Sequence, residues 1–318
     1  MPRPLLTSDA TRPFVVLATV LATLLVVAAG TRTAVDAHLA FSVLQYFATL
    51  APVALGLGLT MIAGEYDLSV GSVLGLAGCV TAITGATSPA LGLACGMALG
   101  AFAGLLQGLL IVWLRLSSVS VTLGGLMSLG ALSYVVTGNR TVTYPDLGVA
   151  MAVNAPIGGI VSARGVIAFA CYAVVALLLR ETRVGRDLAA TGSDRAAALT
   201  AGVRTDVVLV LVFATSGALA ALSGVLLSYS LASASPAGLT DVLVPATAAT
   251  IIGGVSLSGG RGHPLGVAAG VLTLCVLDAG LNALGASPFM QNVAMGAVLL
   301  VVAIGDAPLL TRYLRRRA

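Results

Sequence analysis

The sequence predicts an all-α integral membrane protein, with about ten transmembrane helices in one bundle and both termini cytoplasmic. Three observations carry this reading. Of 318 residues, 58% are apolar and only 9% charged, where a soluble domain carries about 25% charged residues. The mean hydropathy of +1.06 comes from apolar blocks recurring along the whole chain, each close to the ~20 residues that cross a bilayer as a helix. The arginines are distributed unevenly around those blocks, as orientation in a membrane requires.

The apolar blocks place helices at about 14–30, 40–63, 68–86, 90–113, 117–137, 163–180, 207–231, 243–258, 265–284 and 288–306. The first, preceded by Arg3 and Arg12, reads as an uncleaved anchor because nine further spans follow it. With the N-terminus inside, 13 of the 16 arginines lie on the cytoplasmic side and only Arg32, Arg140 and Arg164 lie outside. The opposite orientation would put the 181–206 loop and Arg315, Arg316 and Arg317 on the wrong face. The chain thus divides into a cytoplasmic tail at 1–13, a membrane domain at 14–306 and an arginine-rich cytoplasmic tail at 307–318. Two loops exceed turn length, an external one at 138–162 and a cytoplasmic one at 181–206.

With 38 glycines and a single tryptophan, packing leans on close backbone approach between helices. The glycine-containing fifth and eighth spans read as short and interrupted, the kind of segment that sits inside a bundle beside a translocation path. Residues 64–71 and 254–260 carry a faint internal echo, too weak to establish a repeat.

Several function classes are excluded by composition. All basic residues are arginine and none forms an interleaved basic and aromatic stretch, so no nucleic-acid surface is indicated. Cys79, Cys95, Cys171 and Cys275 fall inside apolar segments without a C-x-x-C pair, which argues against a zinc site or a disulfide framework. His38 and His263 are assigned to opposite sides of the membrane and cannot share a catalytic site. No nucleophile elbow, metal-binding helix or phosphate loop occurs, so no catalytic residue, cofactor site or metal site is expected on this chain.

The segment Met61-Ile62-Ala63-Gly64-Glu65-Tyr66-Asp67-Leu68-Ser69-Val70-Gly71-Ser72 sets two carboxylates and a serine between two spans. Asp67 or Ser69 could cap the following helix, or Glu65, Asp67 and Ser69 could belong to a gate or substrate path, since charge near apolar spans lines cavities or pairs internally. Further polar residues available to a path are Gln45, Gln107, Thr122, Asp278, Asn282, Gln291 and Asn292. Asp278 and Asn282 are four apart and share a helical face. In the 181–206 loop, residues 193–199 read as a short helix with Ser193 at its N-cap and Gly202 beyond its end.

Residues 64–72 also resemble the G-x-x-D-L-S-V-G-S signature of simple-sugar ABC importer permeases, ribose-type permeases being the nearest comparison. Further matches follow in order: Val121-Thr122-Leu123-Gly124-Gly125, then Gly185-Arg186 through Ala190-Thr191-Gly192-Ser193-Asp194-Arg195-Ala196-Ala197, Ser216-Gly217-Ala218-Leu219-Ala220, Ile252-Gly253-Gly254-Val255-Ser256-Leu257 and Gly259-Gly260-Arg261-Gly262. Ala63, Gly125 and Asp278-Ala279 depart from the family pattern. The resemblance implies a bacterial cytoplasmic-membrane importer in which this chain pairs with a second copy or a paralogous permease. It also implies a pair of ATPase subunits holding ATP and Mg inside, and a soluble sugar-binding protein outside. It makes Gly185, Arg186, Gly192, Ser193, Asp194, Arg195, Ala196, Ala197 and Gly202 the ATPase-coupling residues. A branched-chain amino acid permease and a proton-coupled transporter working through Asp278 or Glu65 are the competing readings.

Overall fold

The computed structural model describes residues 8–31, 35–237 and 242–305. The tail at 307–318 lies outside them, as do Arg3 and Arg32, and α1 (Ser8–Thr31) already begins within the tail expected at 1–13. Among the described residues, seven helices are long and apolar enough to cross a membrane: α1, α2 (Ala37–Ile62), α4 (Pro89–Trp113), α5 (Ser118–Thr137), α7 (Ala163–Glu181), α10 (Thr205–Leu231) and α12 (Pro264–Ala283). Three further apolar helices, α3 (Val70–Gly85), α11 (Leu243–Ile252) and α13 (Pro288–Gly305), are shorter and stand within the third, eighth and tenth expected spans.

Helix α10 forms the centre, packed along α4 and against α3 and α2. The α4–α10 contact explains much of the glycine content. Gly92, Gly96, Gly100, Gly104 and Gly108 repeat every fourth residue and so lie along one stripe of α4. A Cβ on Gly104 would overlap the Phe213 carbonyl oxygen, and one on Gly100 would overlap Ala221. The two backbones therefore meet at a distance that no larger residue allows, and dispersion over that close contact replaces the hydrophobic force absent between helices in lipid. On the other side of α10, Gly224 lies against the Leu74 carbonyl of α3 in the same manner.

Helix α5 corrects one expectation. It runs unbroken for 20 residues, because Gly124, Gly125 and Gly130 keep helical backbone and Gly125 serves instead as a contact, its Cβ position lying 2.8 Å from Gln107 Nε2. The eighth span is indeed cut short. Rather than reaching 258, α11 ends at Ile252, where Gly254 turns left-handed at φ 80°. Its N–H donates to the Ile251 oxygen at 2.9 Å and Val255 N–H to the Thr250 oxygen at 3.1 Å, the paired bonds of a Schellman motif. Helix α2 ends identically at Gly64 (φ 81°), with Gly64 N–H to Met61 O and Glu65 N–H to Thr60 O, both at 3.0 Å. The echo between the two segments is thus a shared helix ending.

The two long loops are ordered. Residues 138–162 hold α6 (Leu147–Asn154), capped by Asp146, and a hairpin of β2 (Pro156–Ile157) with β3 (Val161–Ser162); β1 (Val142–Thr143) pairs with β4 (Ser233–Ala234). Residues 181–206 hold two helices, α8 (Arg183–Ser193) and α9 (Arg195–Thr200). The expected N-cap is corrected here. Asp194, not Ser193, accepts the Ala196 and Ala197 N–H groups, each at 3.0 Å, while the Ser193 hydroxyl closes α8 by donating to Ala189 O.

Candidate functional site

Residues 64–69, between α2 and α3, are the meeting point of the bundle. Asp67 is 1% exposed. Its Oδ1 accepts Ser69 N–H at 3.0 Å and the Ser69 hydroxyl at 2.6 Å, and its Oδ2 accepts the Ser216 hydroxyl of α10 at 2.7 Å. The Ser69 hydroxyl also faces Gln107 Oε1 of α4 at 3.0 Å. Among the described residues no cation pairs with this carboxylate. Buried polar groups are costly unless satisfied, and here three donors from two elements satisfy one carboxylate. Of the two readings open for this segment, simple capping does not hold for Ser69, whose side chain makes no cap bond.

The same segment is held from the side by α5. Thr122, fully buried, donates to the oxygens of Ser118 at 2.8 Å and Tyr66 at 3.2 Å, and Tyr66 N–H donates to Ser118 Oγ. The Tyr66 hydroxyl reaches Leu257 O at 2.6 Å, in the loop after α11. Glu65 points elsewhere, toward α9: its carboxylate lies 3.8 Å from Arg195, whose other nitrogen holds Asp206 at 2.8 Å.

The α8–α9 pair is seated on this junction. Gly192 fits against the Ile62 carbonyl, Gly260 N–H donates to that same oxygen at 2.9 Å, and a Cβ on Gly259 would stand 2.7 Å from Gly64 Cα. Gly185 closes the α7–α8 corner against Leu179, and Gly202 ends α9 at φ 85°. Ser193, Asp194, Ala196, Ala197 and Arg186 are exposed, whereas Ala198 is buried against the body. A short rigid helix anchored by backbone contacts, with a small-residue tip free, can receive a push from outside and hand it to two helix junctions at once.

The remaining expected path residues lie elsewhere. Gln45 belongs to a network at the opposite end of α2. Its Oε1 accepts the Ser162 hydroxyl at 2.8 Å and Arg164 Nε and Nη2 at 3.2 and 3.0 Å; its Nε2 donates to Asn154, which in turn holds Ser230. Arg164, expected on the outer side of the membrane, is 5% exposed and pins α7 to α2. Gln291 donates to Ala286 O, bracing the start of α13. Asp278 and Asn282 line a cavity of about 450 Å³ with Tyr46, Asp36 and His38.

The profile of the family described as branched-chain amino acid transport system, permease component, matches residues 39–303. The chain belongs to that permease family. Relatives of the permease include the ribose import permease protein RbsC of Bacillus subtilis, 34% identical over 263 residues, 80% of each chain. The L-arabinose transport system permease protein AraH of Escherichia coli is 33% identical over 263 residues, 80% of this chain and 78% of that one. The autoinducer 2 import system permease protein LsrC of Yersinia pseudotuberculosis is 31% identical over 262 residues, covering 80% and 73%. No solved structure matches the permease. It is a multi-pass protein of the bacterial cytoplasmic membrane.

Sequence reasoning missed Ser216 as a partner of Asp67 and Arg164 as a buried anchor. Ser216 had a signal, since its motif is quoted among the family matches. The fourfold glycine spacing of α4 was equally readable and marks the most extensive helix contact.

Proposed function

We propose that this permease is the membrane subunit of an ATP-driven importer for a monosaccharide or a closely related polar small molecule. Translocation proceeds by alternating access, with two permease subunits, this chain and a second copy or a paralogue, around the path. A separate pair of ATPase subunits binds ATP with Mg and hydrolyses it against the α8–α9 tips, and a soluble binding protein delivers substrate at the end formed by residues 138–162. Both termini are cytoplasmic, and the three shorter apolar helices complete a ten-span bundle.

The observation that carries this reading is the α8–α9 pair, exposed at Ala196 and Ala197 and seated through Gly192 on the 64–69 junction. Residues Gly185, Arg186, Gly192, Ser193, Asp194, Arg195, Ala196, Ala197 and Gly202 form the coupling unit. In this conformation Asp67, Ser69 and Thr122 form a closed junction that must rearrange for an inward opening. The names of the relatives, ribose and L-arabinose permeases, support the substrate class.

Replacing Ala197 with Glu puts a bulky charge on the exposed tip. Membrane insertion is retained, while ATP-dependent uptake and co-purification of the ATPase are lost; normal uptake by A197E sinks the assignment. The matched family's description favours a second reading, a branched-chain amino acid substrate. Competition of labelled D-ribose uptake by L-leucine separates the two, since only the second reading has leucine as the transported solute.

A further inference from the structure

The cavity between the start of α2 and the end of α12 holds a set of polar groups that the protein itself leaves unused. Asp278 and Tyr46 are half-buried in its floor and Asn282, Asp36 and His38 stand exposed at its lip. Among the described residues, the Asp278 carboxylate, the Asn282 amide and the Tyr46 hydroxyl have no hydrogen-bond or ion-pair partner. This contrasts with Gln45, Asp67, Ser69, Thr122 and Gln291, which are all bonded within the protein.

The floor is rigid. Gly280 lies against Leu24 of α1, Ala279 is 8% exposed, and the N-cap bond from Leu39 N–H to Asp36 Oδ1, 3.0 Å, fixes the start of α2. Asp278 and Asn282 are held one helical turn apart on the same face of α12, across from Tyr46 on α2. A carboxylate accepts from two neighbouring hydroxyls, an amide both donates and accepts, and a tyrosine offers a ring edge and a hydroxyl. That inventory matches a ring bearing several adjacent hydroxyls. At about 450 Å³ the space falls in the usual small-ligand range of roughly 300–1,000 Å³. The second cavity, about 420 Å³, offers a single unpaired charge among the described residues rather than such a set: its apolar walls are Ile111, Val112, Leu116 and Leu199, its Arg195 and Asp206 pair with each other, and Arg115 is left over.

We infer that Asp278, Tyr46 and Asn282 form a low-affinity saccharide site at the α2–α12 end of the permease, opposite the α8–α9 helices. The inference rests on the sugar importer reading. It places a waiting position for solute at the end where the Gln45–Arg164–Asn154 network also lies, because Tyr46 adjoins Gln45 in α2.

The test uses the full-length permease in lipid nanodiscs, without the binding protein, and saturation-transfer NMR with D-ribose, L-arabinose and L-leucine as probes. The wild type transfers signal to a pentose and not to leucine. D278N weakens that binding about tenfold and N282A a few-fold, the losses expected for weakening a hydrogen bond to a charged group and removing one to an exposed neutral amide. Y46F, which keeps the ring, weakens it less, and its retained fold covers the case in which D278N fails to assemble. Absence of pentose signal in the wild type, pentose signal unchanged in all three variants, or a leucine signal in its place each overturns the site. ATP-dependent pentose uptake by the complete complex is measured beside it. Uptake that persists with the site disproved leaves the importer reading standing, and absence of any ATP-dependent uptake removes that reading on its own.

Discussion

Gly192 of α8 rests directly on the carbonyl oxygen of Ile62, the last residue of α2. A Cβ at Gly192 would overlap that oxygen and come within 2.7 Å of the Gly260 nitrogen, which already donates to it. Three chain segments thus meet at one backbone oxygen, and the α8–α9 pair cannot shift without moving the end of α2 and the loop after α11 together. Gly192→Ala forces them apart. Overpacking of this kind costs about 1–3 kcal/mol, so the melting temperature falls and ATP-coupled uptake drops more than in a Gly296→Ala control in α13, where a Cβ would meet nothing within 4 Å. Equal uptake in the two variants removes the linkage.

The Asp67 network predicts an order among substitutions. Asp67→Ala leaves Ser69 N–H and the Ser216 hydroxyl without their acceptor and the Ser69 hydroxyl with Gln107 Oε1 alone, at about 1–3 kcal/mol for each buried group left unpaired. Asp67→Asn keeps an oxygen for Ser69 and a group that the Ser216 hydroxyl can face as acceptor, and Ser216→Ala removes a single bond. Thermal unfolding in detergent should therefore place Asp67→Ala well below Asp67→Asn and Ser216→Ala. An Asp67→Ala protein as stable as the wild type would mean that the carboxylate is not held as described.

Much of this was legible before any coordinates. Hydropathy marks the apolar segments because a helix in lipid must be apolar along its whole length, and the order of motifs from Gly64 to Gly262 carries the family. The partners were not legible. Asp67 and Ser216 lie on elements far apart in the chain, and nothing local in either segment states that they meet. The same holds for Arg164, placed by its position at the start of a span on the outer side while its side chain is buried on Gln45. The N-cap of α9 fell one residue from its expected place because Ser193 and Asp194 are both good caps; the choice depends on α8, which ends by using the Ser193 hydroxyl and so leaves Asp194 to begin the next helix.

Arg195 separates charge from packing. It spans Glu65 and Asp206, yet its side chain is 41% exposed and the longer of the two contacts is 3.8 Å. Solvent-exposed pairs contribute about 0–1 kcal/mol, far less than the backbone seating of Gly192. Arg195→Ala should leave the melting temperature within a few degrees of wild type, and raising the salt should reduce even that difference, because exposed pairs are screened. A loss of stability comparable to Gly192→Ala would show that the ion pairs, not the glycine contacts, hold α9 to the junction.

His263 makes the start of α12 sensitive to pH. Its Nδ1 accepts Leu265 N–H at 3.2 Å, which only an imidazole unprotonated at Nδ1 can do. Burial, and then the nearby Arg180 charge, lower its pKa from the ordinary value of 6.5. The folded protein thus favours the neutral ring, so the stabilisation is complete above the unfolded value and is lost as pH falls through the lowered folded value. Amide hydrogen exchange at Leu265, compared with that at a core residue such as Leu274, should show protection falling as pH drops below about 6.5, after correction for the intrinsic exchange rate. In His263→Ala, the remaining protection at Leu265 is lower and independent of pH over the same range. Protection that rises on acidification would mean that the ring binds its proton in the folded state, and would exclude the cap.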